Sequence, residues 1–255
     1  MRRIKLRFPG ARGDALAGVL EHPDEPWCHA LLVHCFACGK DLLPSARLAR
    51  ALAARGVAVL RFDGAGLGES AGDFATTTFT DQIADACAAA AYLTATFAPP
   101  RLLVGHSLGG ATVLAAAHRL PSVAAVATIA APAVASHARR LCAGQEERLA
   151  HDGWATVTVA GRAVRVGRAL LDDLATYDDP APIGQLGRAL LILHSPADAV
   201  VALSEAEKIY RAARHPKSFI ALDRADHLLG ERADAEYAAA LIAAWAGRYV
   251  AADPP

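Results

Sequence analysis

The pentapeptide Gly105-His106-Ser107-Leu108-Gly109 places a serine with a glycine two residues away on either side. A serine hydroxyl is a weak nucleophile. It does acyl chemistry only when a histidine within hydrogen-bond reach takes its proton and an acid orients that histidine. Arg101-Leu102-Leu103-Val104 reads as the end of a buried strand, and a helical run from Ala111 to His118 follows. Strand, sharp turn and helix are the context in which G-x-S-x-G forms a nucleophile elbow. The glycines answer a crowding problem, because a side chain at either position would collide with the neighbouring strand or helix around a strained serine. A helix starting under the serine turns its unpaired N–H groups and positive end toward a developing oxyanion. The competing reading is a glycine-rich turn with an incidental serine. A P-loop is excluded, since no Lys-Ser/Thr follows the glycines.

A nucleophile elbow expects its partners later in the chain, in the order Ser, Asp/Glu, His. Two loops after Ser107 qualify. His194-Ser195-Pro196-Ala197-Asp198-Ala199-Val200-Val201 puts Asp198 four residues past a strand, and Asp223-Arg224-Ala225-Asp226-His227 puts His227 between a strand and the last helix. Both loops belong at the carboxyl edge of a parallel sheet, where such sheets place ligands. The roles that follow are Ser107 as nucleophile, His227 as general base and then acid, and Asp198 as the residue that fixes the imidazole. Asp223 and Asp226 are rivals for the last role, and His227 as a plain surface histidine is the alternative. His106, at the variable position of the elbow, is expected on the pocket floor. An oxyanion hole needs two donors; Leu108 N–H is one, and the loop after the strand ending at His34 must supply the other.

That loop reads His34-Cys35-Phe36-Ala37-Cys38-Gly39-Lys40-Asp41. Cys35 and Cys38 form C-x-x-C with no second Cys or His pair at zinc spacing, so no metal site is expected. Two readings stand: two small loop residues, or a redox pair whose disulfide would reshape the loop that carries the oxyanion donor. Asp63-Gly64-Ala65-Gly66-Leu67-Gly68 has glycines at every second position, not G-x-G-x-x-G, and opens no helix. No nucleotide cofactor is expected.

The elements that must hold these residues follow from pattern. In a chain of 255 residues with 54% hydrophobic residues, one large domain fits, spanning 1–255. Ile4–Phe8 and Ala15–Leu20 read as antiparallel strands. Short apolar runs at 30–34, 57–62, 101–104, 123–129, 190–194 and 218–222 read as strands, and helices are expected from Pro44 to Gly56, from Thr80 or Asp81 to Phe97, after the elbow, at 204–213 and at 234–250. Strands alternating with helices mean a mostly parallel sheet covered on both faces. The alternation breaks at 133–182, where a charged helical stretch (136–151), a hairpin turning at Ala160-Gly161 and a helix (168–176) read as a small cap over the strand ends.

With elbow, late Asp and late His in place, the chain resembles the α/β-hydrolase superfamily over essentially its whole length. Asp63-Gly64-Ala65-Gly66-Leu67-Gly68-Glu69-Ser70 and His194 to Val201 are similar to the serine-aminopeptidase and monoacylglycerol-lipase-like branch. The stretches His34 to Asp41, Gly66 to Phe74 and Ala213 to Phe219 resemble bacterial hydrolases often fused to an OsmC-like peroxide-reductase domain. That domain is not expected here, so no peroxide-reductase activity is carried over. The resemblance implies an α/β-hydrolase fold, a triad at Ser107, Asp198 and His227, and serine-hydrolase activity. Where related hydrolases read His-Gly, this chain reads His34-Cys35, which makes Phe36 N–H the second oxyanion donor.

The expected substrate is a small carboxylic ester or thioester, with an amide or short peptide as the alternative and a catalytically silent or redox-regulated module as a reading of another class. Leu141, Trp154, Leu170 and Leu171 are candidates for an apolar acyl pocket, or are simply cap core. The 26 basic and 26 acidic residues balance, which argues against nucleic acid or an anionic membrane as partner. No apolar run approaches the ~18 residues of a membrane span. An odd five cysteines and no apolar signal core point to the cytoplasm. The sequence gives no oligomeric state.

Overall fold

The computed structural model describes residues 1–159 and 161–250. Its elements in chain order are β1 (Arg2–Pro9), β2 (Ala15–His22), β3 (Cys28–Val33), α1 (Leu43–Ala53), β4 (Val57–Phe62), α2 (Phe79–Thr96), β5 (Leu102–His106), α3 (Leu108–Ala117) and β6 (Ala125–Ile129). There follow α4 (Glu146–Asp152), β7 (Trp154–Val159), β8 (Arg162–Gly167), α5 (Arg168–Thr176), β9 (Ala189–His194), α6 (Leu203–Ala212), β10 (Lys217–Ala221) and α7 (Arg232–Val250). Eight strands form one sheet in the order β1-β2-β4-β3-β5-β6-β9-β10. The pairs β1·β2 and β2·β4 are antiparallel and the rest are parallel.

Burial follows the expected logic. Strands β4, β5, β6 and β9 are buried along their whole length, as strands covered on both faces must be. One apolar core holds Leu48, Leu52, Ile242 and Ala246 of α1 and α7, and a second holds Ile83, Val113 and Ile209 of α2, α3 and α6. The sheet is thus sandwiched between two helical layers, with β5 and β3 near its centre. No helix among the described residues is long and apolar enough to cross a membrane.

Two local expectations are corrected. Helix α2 is capped by Thr78, two residues before Thr80 and three before Asp81: its side chain accepts from Asp81 N–H, while the Asp81 carboxylate accepts from Thr78 N–H. This capping box satisfies two donors that would otherwise be unpaired. The stretch 136–151 is not one helix. A 3-10 segment, Ala135–Cys142, gives way at Gly144, whose φ of +77° is left-handed, before α4 begins. The expected hairpin is present as β7–β8, paired Trp154↔Gly167 to Val159↔Arg162; of the expected turn residues Ala160 and Gly161, Ala160 lies outside the described residues.

The segment between β6 and β9 is tied to the body at identifiable points. Thr80 N–H and hydroxyl donate to the Asp173 carboxylate of α5 at 2.7 and 3.0 Å. Ala133 N–H donates to Glu205 of α6 at 3.0 Å. Gly167 is packed so closely on the Ala75 carbonyl that a Cβ there would overlap it.

Candidate active site

The elbow is built as crowding requires. Ser107 sits at φ +54°, ψ −126°, between the last residue of β5 and the first of α3. A non-glycine residue held there is strained and persists only because its surroundings fix it. Ser107 N–H donates to Ile129 of β6 at 2.9 Å, and Gly110 N–H donates to Ser107 at 2.8 Å. A Cβ on Gly105 would overlap the Gly109 carbonyl, and one on Gly109 would overlap the carbonyls of Val33 and His34. The glycines therefore let α3 start directly against the ends of β3 and β5.

The structure brings Ser107, His227 and Asp198 into one line. His227 Nε2 is 3.0 Å from Ser107 Oγ, and His227 Nδ1 is 2.8 Å from Asp198 Oδ2. Since a carboxylate only accepts, Nδ1 carries the proton and Nε2 is left to accept from the serine. The other Asp198 oxygen accepts from Val200 and Val201 N–H at 2.8 and 2.9 Å. Burial pushes the Asp198 carboxyl up, but His227 and these two backbone donors outweigh it, and the carboxyl is held below its usual range. The rivals do not reach the ring: Asp223 and Asp226 are exposed, and Asp226 accepts from Gly230 N–H.

His106 is not on the pocket floor. It is buried behind His227, with the two rings 5.2 Å apart, and its Nε2–H donates to the His227 carbonyl at 2.7 Å. Burial and the neighbouring His227 lower it to about 4. His194, fully buried, donates from Nε2 to the Val201 carbonyl at 2.8 Å. Each loop that carries a partner of Ser107 is thus held through its backbone by a buried histidine. Sequence reasoning missed His194 in this role, although its place at the end of β9 was visible.

Phe36, Ser107 and Leu108 line one cavity of about 80 Å³, together with His137, Leu141 and Val201. Neither Phe36 N–H nor Leu108 N–H donates to a protein acceptor among the described residues. Of the four apolar cap candidates, Leu141 lines this cavity. Leu170, on α5, is fully buried, Leu171 packs against the same core, and Trp154 lies under the Arg165 guanidinium at 4.2 Å. His137 and Arg140, also at the cavity, were not singled out by sequence. Burial, with Arg140 nearby, lowers the His137 ring despite Glu205.

His34 borders a second cavity and donates from Nδ1 to the Cys35 carbonyl at 2.8 Å. Its burial holds it neutral by pushing its pKa down. Cys35 and Cys38 are joined in a disulfide, their Cα atoms 5.4 Å apart; Cys28, Cys87 and Cys142 are free. The Asp63 to Ser70 loop is a framework: Asp63 accepts from Lys40 N–H at 2.6 Å, Lys40 Nζ at 3.0 Å and Glu69 N–H at 2.9 Å.

Comparison with known proteins agrees with this architecture. The model of the serine aminopeptidase S33 family matches residues 31–162. The esterase domain of a Rhodothermus marinus protein is 41% identical, with a TM-score of 0.81 over 98% of this chain and 100% of that one. An α/β hydrolase from Penicillium sp. sh18 is 16% identical, with a TM-score of 0.81 over 99% and 100% of the two chains. A Butyrivibrio proteoclasticus protein solved with ferulic acid bound is 17% identical, with a TM-score of 0.76 over 96% and 99%. These two show the fold alone. No protein of curated function matches the sequence. The chain is a hydrolase of the serine aminopeptidase S33 family, with the α/β-hydrolase fold.

Proposed function

We propose that this chain is a serine esterase or thioesterase working through a Ser107 acyl-enzyme. The observation that carries the reading is the unbroken hydrogen-bonded line from Asp198 through His227 to Ser107, ending in a small, largely apolar cavity. His227 takes the Ser107 proton as Oγ attacks the acyl carbonyl. The oxyanion forms against the N–H groups of Phe36 and Leu108, at the positive end of α3. As the intermediate collapses, His227 passes its proton to the leaving alcohol or thiol; water then enters, activated by the same ring. Asp198 stabilises the imidazolium in both halves.

The family description names aminopeptidases, which keeps amides as the second reading. A free α-ammonium calls for a carboxylate near the nucleophile. The residues around the cavity instead include Arg140 and His137 and no acid. The nearby Glu205 is already engaged by Lys208 at 2.6 Å and by Ala133 N–H. This favours esters and thioesters with a short apolar acyl group. We place the reaction in the cytoplasm, which accords with three free cysteines.

The test is labelling by a fluorophosphonate, alongside hydrolysis of para-nitrophenyl esters from acetate to octanoate, an acyl thioester and an aminoacyl anilide. The expected outcome is labelling of wild type and not of Ser107→Ala, with kcat/KM highest for short esters. Preference for the anilide would move the assignment to the amide reading. Absence of both labelling and turnover in folded protein would favour a silent module.

A further inference from the structure

The oxyanion loop contains a bond that the acyl mechanism leaves unused. Phe36 lies inside the four-residue ring closed by the Cys35–Cys38 disulfide. Outside the ring, the chain is pinned on both sides. Strand β3 and the His34–Cys35 hydrogen bond hold the entry. Lys40 holds the exit through its N–H to Asp63, while its carbonyl accepts from Arg61 Nε at 2.7 Å. Inside the ring the backbone has one hydrogen bond, Cys38 N–H to the Cys35 carbonyl at 3.2 Å; the other tethers are apolar, with Phe36 and Ala37 buried in the core and the edge of Phe36 against Phe74 at 5.8 Å.

Ala37, which follows Phe36, is at φ +51°. A left-handed alanine is strained and needs its surroundings to impose it. The disulfide closes around that residue. Behind the loop lies a cavity of about 30 Å³, bordered by Cys35, Ala37, Phe74 and Gln82, and the Gln82 Nε2 is buried without a partner. The loop thus has room, and an available polar group, to relax into.

We propose that the Cys35–Cys38 disulfide is a redox switch on the oxyanion hole: closed, it holds Phe36 N–H on the developing oxyanion, and a dithiol reductant lowers turnover by opening it. The inference rests on the acyl-transfer reading of Ser107 and deepens it. One thiolate of the reductant attacks a cystine sulfur, and the second resolves the mixed disulfide. The S–S bond breaks, Cys35 and Cys38 each gain a hydrogen, and the reductant leaves as its own disulfide. In a reducing compartment a protein disulfide is usually transient and regulatory, which suits a bond that spans a catalytic donor. Both cysteines are nearly buried, at 5% and 6% exposure.

The experiment compares air-oxidised and dithiothreitol-reduced wild type, with thiols counted after denaturation, on a short para-nitrophenyl ester. The oxidised chain should give three thiols and the reduced chain five. Losing an oxyanion donor outright costs about 10²–10³ in kcat; a loosened donor should cost roughly 10- to 100-fold, with KM within about twofold and full recovery on reoxidation. The Cys35→Ser, Cys38→Ser double variant should match the reduced enzyme and ignore reductant. Five thiols with unchanged kcat, or a disulfide that folded wild type does not surrender to dithiothreitol, would overturn the switch. Ser107→Ala, run in parallel, separates the two claims: if it keeps full activity, the acyl-enzyme reading itself has failed.

Discussion

The proton inventory around His227 depends on keeping its neighbour neutral. His106 donates one hydrogen bond to the His227 backbone, and a charged His106 would face the imidazolium that forms during acyl transfer. Its lowered value, about 4 against an ordinary 6.5, makes the unfolded chain bind the proton first as pH falls. The sign is therefore fixed: the stabilisation is complete above pH 6.5 and is lost as pH drops toward 4. The loss amounts to roughly 3 kcal/mol from this residue. His106→Gln, which retains a donor and removes the titration, should flatten the urea-midpoint profile between pH 4 and 6.5. An unchanged slope would assign the acid sensitivity elsewhere. At this scale chain order singled out Ser107, Asp198 and His227, the three residues the structure sets in one hydrogen-bonded line. The sequence put His106 at the pocket floor and not behind His227, because the side a β-strand's terminal residue faces depends on which loop packs behind it.

Among the elements, the 3-10 segment Ala135–Cys142 brings His137, Arg140 and Leu141 to the cavity, and that segment packs on the hairpin β7–β8. The hairpin is seated by Gly167, whose missing side chain lets β8 touch the Ala75 carbonyl. Gly167→Ala should lift the hairpin and cost about 1–3 kcal/mol of stability. It should raise KM for longer acyl esters more than for acetate, leaving kcat on acetate within about twofold. An unchanged chain-length profile in a correctly folded variant would show that the cap does not shape the acyl site. The segment's hairpin and α5 were legible from alternation and helical period. The break at Gly144 and the true start of α2 were not, since both hinge on single residues, Gly144 and Thr78, whose effect depends on local hydrogen bonding rather than on pattern.

Across the whole molecule, the loop just past Cys38 is anchored by charge in a place where water is scarce. Lys40 and Asp63 are both almost fully buried and paired at 3.0 Å, with Asp41 and Glu69 completing the ammonium's partners. Those partners hold the Lys40 ammonium above its ordinary range despite burial. Removing one member of a buried pair strands the other: Lys40→Met should cost about 3–5 kcal/mol, and adding Asp63→Asn should return part of it. Chemical denaturation of the single and double variants measures both, and additive losses would contradict the pairing. The sheet and its two helical layers were readable from apolar runs and periodicity because burial on both faces leaves a continuous signature. The Lys40–Asp63 pair was not, since nothing in a lone lysine 23 residues before an aspartate announces that the fold will bury both.

The central claim is that a substrate acyl group resides on Ser107, and trapping it is the direct measurement. Rapid acid quench of enzyme mixed with a short para-nitrophenyl ester, followed by peptide mass mapping, should find one acyl group per chain on the peptide containing Ser107. The signal should rise in the Asp198→Asn variant if deacylation slows more than acylation, and vanish in Ser107→Ala. Acyl groups found on a cysteine, or turnover with no acyl-enzyme in either background, would contradict the account.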